Sequence, residues 1–150
     1  MIETQEDTKI RKARASDAGR LAVLSGQLGY PTTPRQMSIR LKRALGEKNG
    51  ACFVAETKKN GVIIGWVHVS VTPLLEVELR AEINGLVVEE KVRSRGAGAR
   101  LLQAAEDWAR KRKCVGMSVR SNVIRERAHH FYLRHNYEHY KTQKAFRKPL

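Results

Sequence analysis

The feature that most constrains this chain is an apolar strand that runs, through a turn containing Gly96 and Gly98, directly into an amphipathic helix. The segment reads Val88-Glu-Glu-Lys-Val-Arg93-Ser-Arg-Gly96-Ala-Gly98-Ala-Arg-Leu-Leu102. A helix N-terminus offers backbone N–H groups that lack intrahelical partners, together with the positive end of the helix dipole. Glycines let a ligand approach that backbone closely. The segment therefore predicts a site for a phosphate-bearing cofactor.

Two common phosphate motifs do not fit this turn. The nucleoside-triphosphate loop requires Gly-x-x-x-x-Gly-Lys-Ser/Thr, and the sequence contains no such run. The dinucleotide fingerprint requires Gly-x-Gly-x-x-Gly, but Leu101 stands where the third glycine would be. A different class of cofactor is indicated.

The segment resembles the acetyl-CoA signature of the GNAT superfamily of N-acetyltransferases, Arg/Gln-x-x-Gly-x-Gly/Ala, with Arg93, Gly96 and Gly98 at its fixed positions. A second element, Val119 to Tyr137, is similar to the family's strand-Asn-helix segment, which usually ends Ala-x-x-Phe-Tyr-x-x-x-Gly-Phe. Asn136 replaces the usual glycine, a mild change because Asn tolerates the left-handed conformation at a helix C-terminus. The resemblance extends from about Ile10 onward, and the chain is identified as a member of this superfamily.

Length and composition agree with one domain spanning residues 1–150 and no linker or repeat. Hydrophobic residues make up 41% of the chain, and no apolar run approaches the ~20 residues of a membrane span, so no membrane partner is expected. The acidic N-terminus lacks the pattern of a signal peptide. Cys52 and Cys114 show no metal spacing and are interpreted as thiols in a reducing cytoplasm.

Positive charge is concentrated in the C-terminal part. Residues 91–150 contain 16 Lys/Arg and 4 Asp/Glu, whereas the whole chain has a net charge of +14. A basic region attracts the phosphates of coenzyme A. The charge exceeds what one such ligand needs, and two interpretations of the surplus stay open: a solvated face, which we favour, and nucleic-acid binding.

The hydrophobic pattern predicts β-α-α-β-β-β-α-β-α-β. The elements are a strand at 10–14, a helix capped by Ser16 or Asp17 and stopped by Gly29, a helix begun by the capping box Thr33 to Gln36, a hairpin of strands 51–57 and 62–71, a long strand at 77–88, a helix after Gly98, a strand at 115–121, a helix bearing Phe131 and Tyr132, and strand material from Tyr137 onward. The resemblance implies an α/β (α+β) fold: a mixed central sheet, mostly antiparallel and flanked by helices, whose splayed central strands hold acetyl-CoA.

Alternation divides the long strand into two faces. The apolar face contains Val77, Leu79, Ala81, Ile83, Gly85 and Val87, and the other contains Glu76, Glu78, Arg80, Glu82 and Asn84. Such a polar face on a central strand is costly unless it lines a wet cleft. A bulge near Gly85 would change this alternation beyond it.

The resemblance implies the residues that bind the cofactor. On this strand, Leu86, Val87 and Val88 hydrogen-bond the pantetheine through their backbone. The pyrophosphate is bound by the turn and the first helical residues, namely Arg93, Ser94, Arg95, Gly96, Ala97, Gly98 and Ala99. Asn122 either binds the cofactor or caps the following helix.

The implied reaction is direct transfer of acetyl from the thioester to an amine. An alkyl ammonium, with a pKa near ~10, must first lose a proton. Glu82 matches the spacing of the basic glutamate in histone-acetylating members, with Glu78 in reserve; a solvated glutamate or an ion pair with Arg80 is the alternative. Tyr132 matches the family's general acid that protonates the thiolate, and an N–H near Val88 would stabilise the oxyanion.

The acceptor is least constrained. Tyr30, in the loop between the first two helices, would border its site, and Glu76, Glu78 and Glu82 favour a small cationic amine. A protein or peptide acceptor, and a non-catalytic binder of acetyl-CoA or nucleic acid, stay open, as does a homodimer. The clustered histidines show no metal spacing, and no metal is required.

Overall fold

The computed structural model describes residues 7–93 and 96–150, which divide into two compact units. The first unit ends at Arg120 and the second is Ser121–Leu150. The first unit contains β1 (Thr8–Lys12), α1 (Ala18–Leu28), α2 (Pro34–Leu45), β2 (Gly50–Thr57), β3 (Ile63–Val71), β4 (Arg80–Val88), α3 (Ala97–Lys111) and β5 (Gly116–Val119), and the second contains α4 (Glu126–Arg134).

The five strands form one sheet in the order β1-β2-β3-β4-β5. Neighbours from β1 to β4 are antiparallel, and β5 runs parallel to β4. Antiparallel neighbours can be joined by short turns, whereas the parallel step from β4 to β5 needs a crossover, which α3 supplies. The predicted mixed, mostly antiparallel sheet flanked by helices is confirmed.

Local signals in the sequence set both N-terminal helices. Helix α1 stops at Gly29, whose φ of 101° lies in the left-handed region that glycine adopts without a Cβ penalty. Helix α2 begins with a complete capping box: the Thr33 hydroxyl accepts the Gln36 N–H (3.1 Å), and the Gln36 side chain accepts the Thr33 N–H (3.0 Å). Both predictions are confirmed.

Helices cover both faces of the sheet in the first unit. On one face Leu101 of α3 lies over Gly65, where an added Cβ would come within 2.9 Å of the Leu101 side chain, and Val67 and Val69 of the same strand are fully buried. On the other face α1 and α2 pack over the sheet and form one hydrophobic cluster with it. Trp66 packs against this cluster, whose buried members include Leu21, Leu24, Leu41, Val54 and Val87. The second face adjoins the site described below.

Four sequence predictions need correction. The first strand is Thr8–Lys12, not 10–14, and β4 begins at Arg80, not Val77, because Val77 and Leu79 lie in an exposed segment, residues 72–79, whose apolar side chains are not covered. Asp17 does not cap α1, since its carboxylate is bound by Arg11 and by the Arg14 N–H. No strand follows Tyr137, because residues 138–150 are exposed along their whole length.

The second unit is held by aromatic contacts around α4. Tyr132 lies edge-on to Phe131, with ring centroids 5.2 Å apart, and 5.5 Å from Tyr137. After α4, Asn136 has φ 69°, so it adopts the left-handed conformation predicted for it in place of glycine. In the described ranges, no helix combines the length and apolarity that crossing a bilayer demands.

Candidate active site

The edge strand β5 pairs with only the first part of β4. Their parallel register runs from Arg80 opposite Gly116 to Ile83 opposite Val119 and stops there. From Asn84 to Val88, β4 therefore has no strand partner on its β5 side within the described residues. This segment contains Leu86, Val87 and Val88. An unpaired strand edge of this kind offers backbone N–H and C=O groups to a ligand amide. The predicted splaying of two central strands stays a prediction, because β5 is the edge strand of the described sheet and ends at Val119.

A bulge in β4 marks the start of the unpaired segment. His68 of β3 pairs with Gly85, but the next residue, Val69, pairs with Ile83, so Asn84 is the extra residue. Because paired residues share a face, Val87 lies beside Trp66 on the α1–α2 face. The simple alternation that placed Val87 with Ala81 and Ile83 is wrong beyond the bulge.

The first turn of α3 follows Gly96, whose φ of 93° and ψ of −6° are left-handed. No side chain caps this end among the described residues, and the first turn contains no acidic side chain. Its first backbone N–H groups and the positive end of its dipole therefore have no acidic side chain of their own turn beside them. Ala97, Gly98 and Ala99 form this turn, whereas Ser94 and Arg95 lie outside the described residues.

Arg93 connects the strand to the turn. Its Nε–H donates a hydrogen bond to the backbone carbonyl of Val88 at 3.2 Å. The unpaired edge of β4 and the uncapped start of α3 thus succeed each other along the chain. Together they fit the two halves of acetyl-CoA: amides in the pantetheine for the strand edge and a pyrophosphate for the helix N-terminus.

Glu82 lies in an ion pair that the sequence did not predict. Its two carboxylate oxygens accept hydrogen bonds from Arg120, at 2.7 Å to Nε and 3.3 Å to Nη2. The predicted alternative was a pair with Arg80. One acceptor site of each oxygen is engaged, and the Arg120 side chain that engages them is 80% exposed. The role of Glu82 as base stays a prediction.

The other predicted acceptor residues lie in exposed segments. Glu78 belongs to the exposed loop 72–79, and the Tyr30 side chain is 69% exposed after the end of α1. The Tyr30 backbone carbonyl accepts a hydrogen bond from the Ser25 hydroxyl (2.8 Å), which fixes the chain there. Neither lines the cavity described next, and their roles stay predictions.

A cavity of about 510 Å³ opens between α2 and the end of β3. Its walls include Arg40, Arg43, Glu47, His68 and Ser70. The Ser70 hydroxyl accepts a hydrogen bond from the Asn84 amide at 2.7 Å, and Ser70 pairs with Glu82, so this wall adjoins the bulge in β4. Sequence reasoning missed His68; the signal for it was its alternation with Trp66 and Ser70 on the polar side of β3.

His68 is half-buried, and burial lowers the pKa of its imidazole. Removal from water disfavours the charged form of a base. The ring is therefore neutral at physiological pH and keeps one nitrogen lone pair. The cavity offers a neutral proton acceptor next to two arginines.

In the second unit, burial raises the pKa of Tyr132 to about 12, although the nearby charge of Arg125 lowers it. The phenol therefore stays protonated at any physiological pH and can donate a proton or a hydrogen bond. Its role as the acid that protonates a thiolate stays a prediction.

Asn122 makes a local turn before α4. Its Oδ1 accepts the Ile124 N–H at 3.1 Å, and its backbone carbonyl accepts the Arg125 N–H at 3.0 Å. This geometry is that of an Asx turn, close to the capping alternative raised from the sequence. Its contact with a cofactor stays a prediction.

Among the described residues, no three His, Cys, Asp or Glu side chains cluster as metal ligands.

Comparisons with known proteins agree with this arrangement. Residues 20–137 match the profile of the Acetyltransferase (GNAT) family. An uncharacterized N-acetyltransferase of Bacillus subtilis (strain 168), YhfO, is 30% identical over 136 residues, covering 86% of this chain and 89% of its own.

Two solved structures share the fold. A transcriptional regulator from Bacillus halodurans C-125 superposes with a TM-score of 0.80 at 24% identity, covering 93% of this chain and 99% of its own. The aminoglycoside N-acetyltransferase AAC(6')-Iy in complex with CoA gives a TM-score of 0.84 at 18% identity and covers 95% of each chain.

Proposed function

This chain belongs to the GNAT acetyltransferase family and is an acetyltransferase that uses acetyl-CoA, and we propose that its acceptor is the primary amine of a small molecule. The observation that carries the proposal is the cavity of about 510 Å³ whose strand wall adjoins the bulge in β4. The unpaired edge of β4 begins at that bulge. A pocket there would bring an acceptor beside the thioester.

Carboxylates in the cavity and beyond its rim support a small cationic amine. Glu47 lines the cavity, and Glu76 and Glu78 stand in the exposed loop that continues from its rim at Thr72 and Pro73. Carboxylates attract an ammonium group before it is deprotonated. The described complexes of AAC(6')-Iy, with CoA and with a CoA–neamine bisubstrate analogue, show that this fold accommodates such an amine in another protein.

A second candidate is an amine that also has a carboxylate or phosphate. Arg40 and Arg43 stand one helical turn apart on α2 and both line the cavity. Guanidinium groups bind carboxylates and phosphates, often through two hydrogen bonds. Acetylation of a peptide is the remaining alternative for the acceptor.

The chain's own groups supply binding and proton transfer in this proposal. Bound acetyl-CoA supplies the activated acetyl thioester. The first turn of α3 holds the pyrophosphate through backbone N–H groups, and the free edge of β4 orients the pantetheine. A backbone N–H near Val88 stabilises the developing oxyanion, and Tyr132 protonates the departing sulfur.

The test is release of the CoA thiol from acetyl-CoA in the presence of a panel of amines. The panel contains spermidine and kanamycin as cationic amines, glutamate and phosphoethanolamine as amines with an anionic group, and one lysine-rich peptide. Turnover with the first pair supports the cationic acceptor, and turnover with the second pair supports the alternative. Acetyl-CoA binding without turnover of any member contradicts the small-amine proposal.

A matched pair of charge variants locates the acceptor. Arg43→Gln should raise KM for an acceptor with an anionic group and leave KM for acetyl-CoA unchanged, because Arg43 lines the cavity. Arg35→Gln, an exposed arginine at the opposite end of the same helix, is the control. Equal effects of both substitutions would show that the cavity is not the acceptor site.

A further inference from the structure

The acceptor amine must lose a proton to a base, and Glu82, the base predicted from the sequence, lies in an ion pair in the structure. Both oxygens of Glu82 accept hydrogen bonds from Arg120. In this pair, one acceptor site of each oxygen is engaged with a guanidinium. Glu78, the reserve candidate, is exposed in loop 72–79. A candidate base without such a partner lines the cavity.

His68 occupies the required place. It lies on the α1–α2 face of β3, lines the cavity, and is directly opposite Gly85 at the bulge of β4. The backbone of Leu86 to Val88 follows immediately. Within the described part of the chain, the His68 ring makes no hydrogen bond or ion pair. His129 and His139, in contrast, each contact an oxygen through Nε2.

The surroundings of His68 keep its imidazole neutral. Burial lowers its pKa, and the charged side chains that share the cavity are Arg40, Arg43 and Glu47, two positive and one negative. Removal of the ring from water is the cause of this shift. Opposite it on β2, Cys52 is an un-ionised thiol, because burial raises the pKa of that thiol to about 12.

We propose that His68, not Glu82, is the general base that removes the first proton from the acceptor ammonium. The proposal rests on the small-amine function above. The imidazole takes one N–H proton and passes it to solvent; the freed nitrogen lone pair forms the bond to the thioester carbonyl carbon. The carbon–sulfur bond then breaks, and the sulfur leaves with the electron pair as a thiolate. The nitrogen loses a second proton as the amide forms, and the thiolate gains one proton to become the thiol, so the protons balance.

The first experiment measures kcat/KM for the amine that responds in the panel, from about pH 5 to about pH 9. The wild type should show one acidic limb, with an apparent pKa below the ordinary 6.5 of histidine, consistent with the burial of His68. His68→Gln should lower kcat/KM by about 10²-fold or more and remove this limb while acetyl-CoA binding is retained. Glu82→Gln should retain the limb, and His130→Gln, an exposed histidine on α4, should match the wild type.

The second experiment separates catalysis from structure. Imidazole added to His68→Gly should restore turnover in proportion to its free-base concentration and should not stimulate the wild type. A structural role for His68 would give no such rescue. Loss of the acidic limb in Glu82→Gln, with the limb retained in His68→Gln, would overturn the proposal and restore Glu82 as the base.

A third measurement keeps the two proposals distinguishable. The imidazole of His68 can be titrated by NMR in the wild type, with His68→Gln to assign its signal. If no amine in the panel is acetylated, the proposed function fails. A His68 ring that titrates with a pKa below the ordinary value would then still show that His68 is a neutral base that solvent can reach. A ring that does not titrate between about pH 4 and about pH 9 overturns the inference in either case.

Discussion

Gly96 occupies a backbone conformation before α3 that a side chain would strain. Its φ of 93° is left-handed, and it stands as the N-cap of the helix proposed to bind the pyrophosphate. A left-handed residue with a Cβ costs roughly 1–2 kcal/mol. Gly96→Ala should therefore lower the free energy of unfolding by about that amount. It should also weaken acetyl-CoA binding by about tenfold, measured by calorimetry.

The matched control is Gly26→Ala in α1. Gly26 is exposed, and a Cβ added there would meet nothing within 4 Å. Alanine is the better helix former by about 0.8–1 kcal/mol, so this variant should gain stability and bind acetyl-CoA as the wild type does. Equal acetyl-CoA affinity in Gly96→Ala and Gly26→Ala would contradict the assignment of the turn to the pyrophosphate.

Asp17 is the other residue whose environment predicts a measurable effect. Its carboxylate accepts hydrogen bonds from both terminal nitrogens of Arg11 (2.9 and 3.0 Å), whose Nε also binds Glu56. Burial alone would raise the pKa of Asp17, but the hydrogen bonds from Arg11 and from the Arg14 N–H outweigh it and lower the pKa. A folded-state pKa below the unfolded one means stability that is present at neutral pH and lost in acid.

Asp17→Asn should cost about 3 kcal/mol at pH 7, because it leaves the nearly buried Arg11 with one partner fewer. The difference from the wild type should shrink below about pH 4, as the wild-type carboxyl protonates. Urea unfolding at both pH values measures it. Asp107→Asn, which breaks a pair between exposed side chains, is the control and should change stability by less than about 0.5 kcal/mol. A pH-independent loss in Asp17→Asn would rule out this linkage.

At the scale of elements, the bulge in β4 depends on a glycine. A Cβ at Gly85 would lie 2.8 Å from the Cη2 and Cζ3 atoms of Trp66, so the ring or the strand would have to move. Gly85→Ala should cost about 1–3 kcal/mol of stability. It should also lower kcat, because Gly85 is opposite His68 and precedes the edge proposed for pantetheine.

The companion variants test this cause directly. Both clashing atoms belong to the benzo ring of the indole, and the single ring of phenylalanine reaches less far from the backbone than this fused ring system. Trp66→Phe should therefore recover part of the stability lost in Gly85→Ala, a coupling that a double-mutant cycle measures by thermal unfolding. Gly116→Ala on the neighbouring strand β5 is the control, since its new Cβ would be 3.8 Å from the nearest atom, the Arg80 side chain. Purely additive losses would contradict the proposed clash.

The same element shows why part of the site could be predicted from the sequence and part could not. The Gly96 turn, the Thr33 capping box and the left-handed Asn136 are set by neighbours within a few residues, which the sequence displays directly. The pair of Glu82 with Arg120 joins residues 38 apart, and the position of His68 depends on strand register. One extra residue, Asn84, changes which side chains share a face, and alternation alone does not reveal it.

At the scale of the whole molecule, the sequence charge predicts a salt dependence. Residues 91–150 contain 16 Lys/Arg and 4 Asp/Glu, and this part of the chain includes α3, whose start is proposed to hold the pyrophosphate. Long-range attraction of an anionic ligand is screened as ionic strength rises. KM for acetyl-CoA should therefore rise several-fold between low and high salt, while kcat, which reports chemistry after binding, should change little.

The surplus charge also permits a decisive comparison between an enzyme and a nucleic-acid binder. If duplex binding is the function, affinity for a DNA fragment should fall steeply with log salt, because each neutralised phosphate releases condensed counterions. That affinity would be the same in Tyr132→Phe, since a phenol hydroxyl on α4 adds no charge at neutral pH when its pKa is raised to about 12. For acetyl transfer, the same substitution should have an effect: Tyr132→Phe should lower kcat by about tenfold or more and leave acetyl-CoA affinity intact. The reason is that the proton donor acts on the leaving sulfur and not on ground-state binding. Unchanged turnover in this variant would remove Tyr132 from the reaction, and tight, salt-sensitive DNA binding beside it would make nucleic acid the ligand that the basic region evolved to hold.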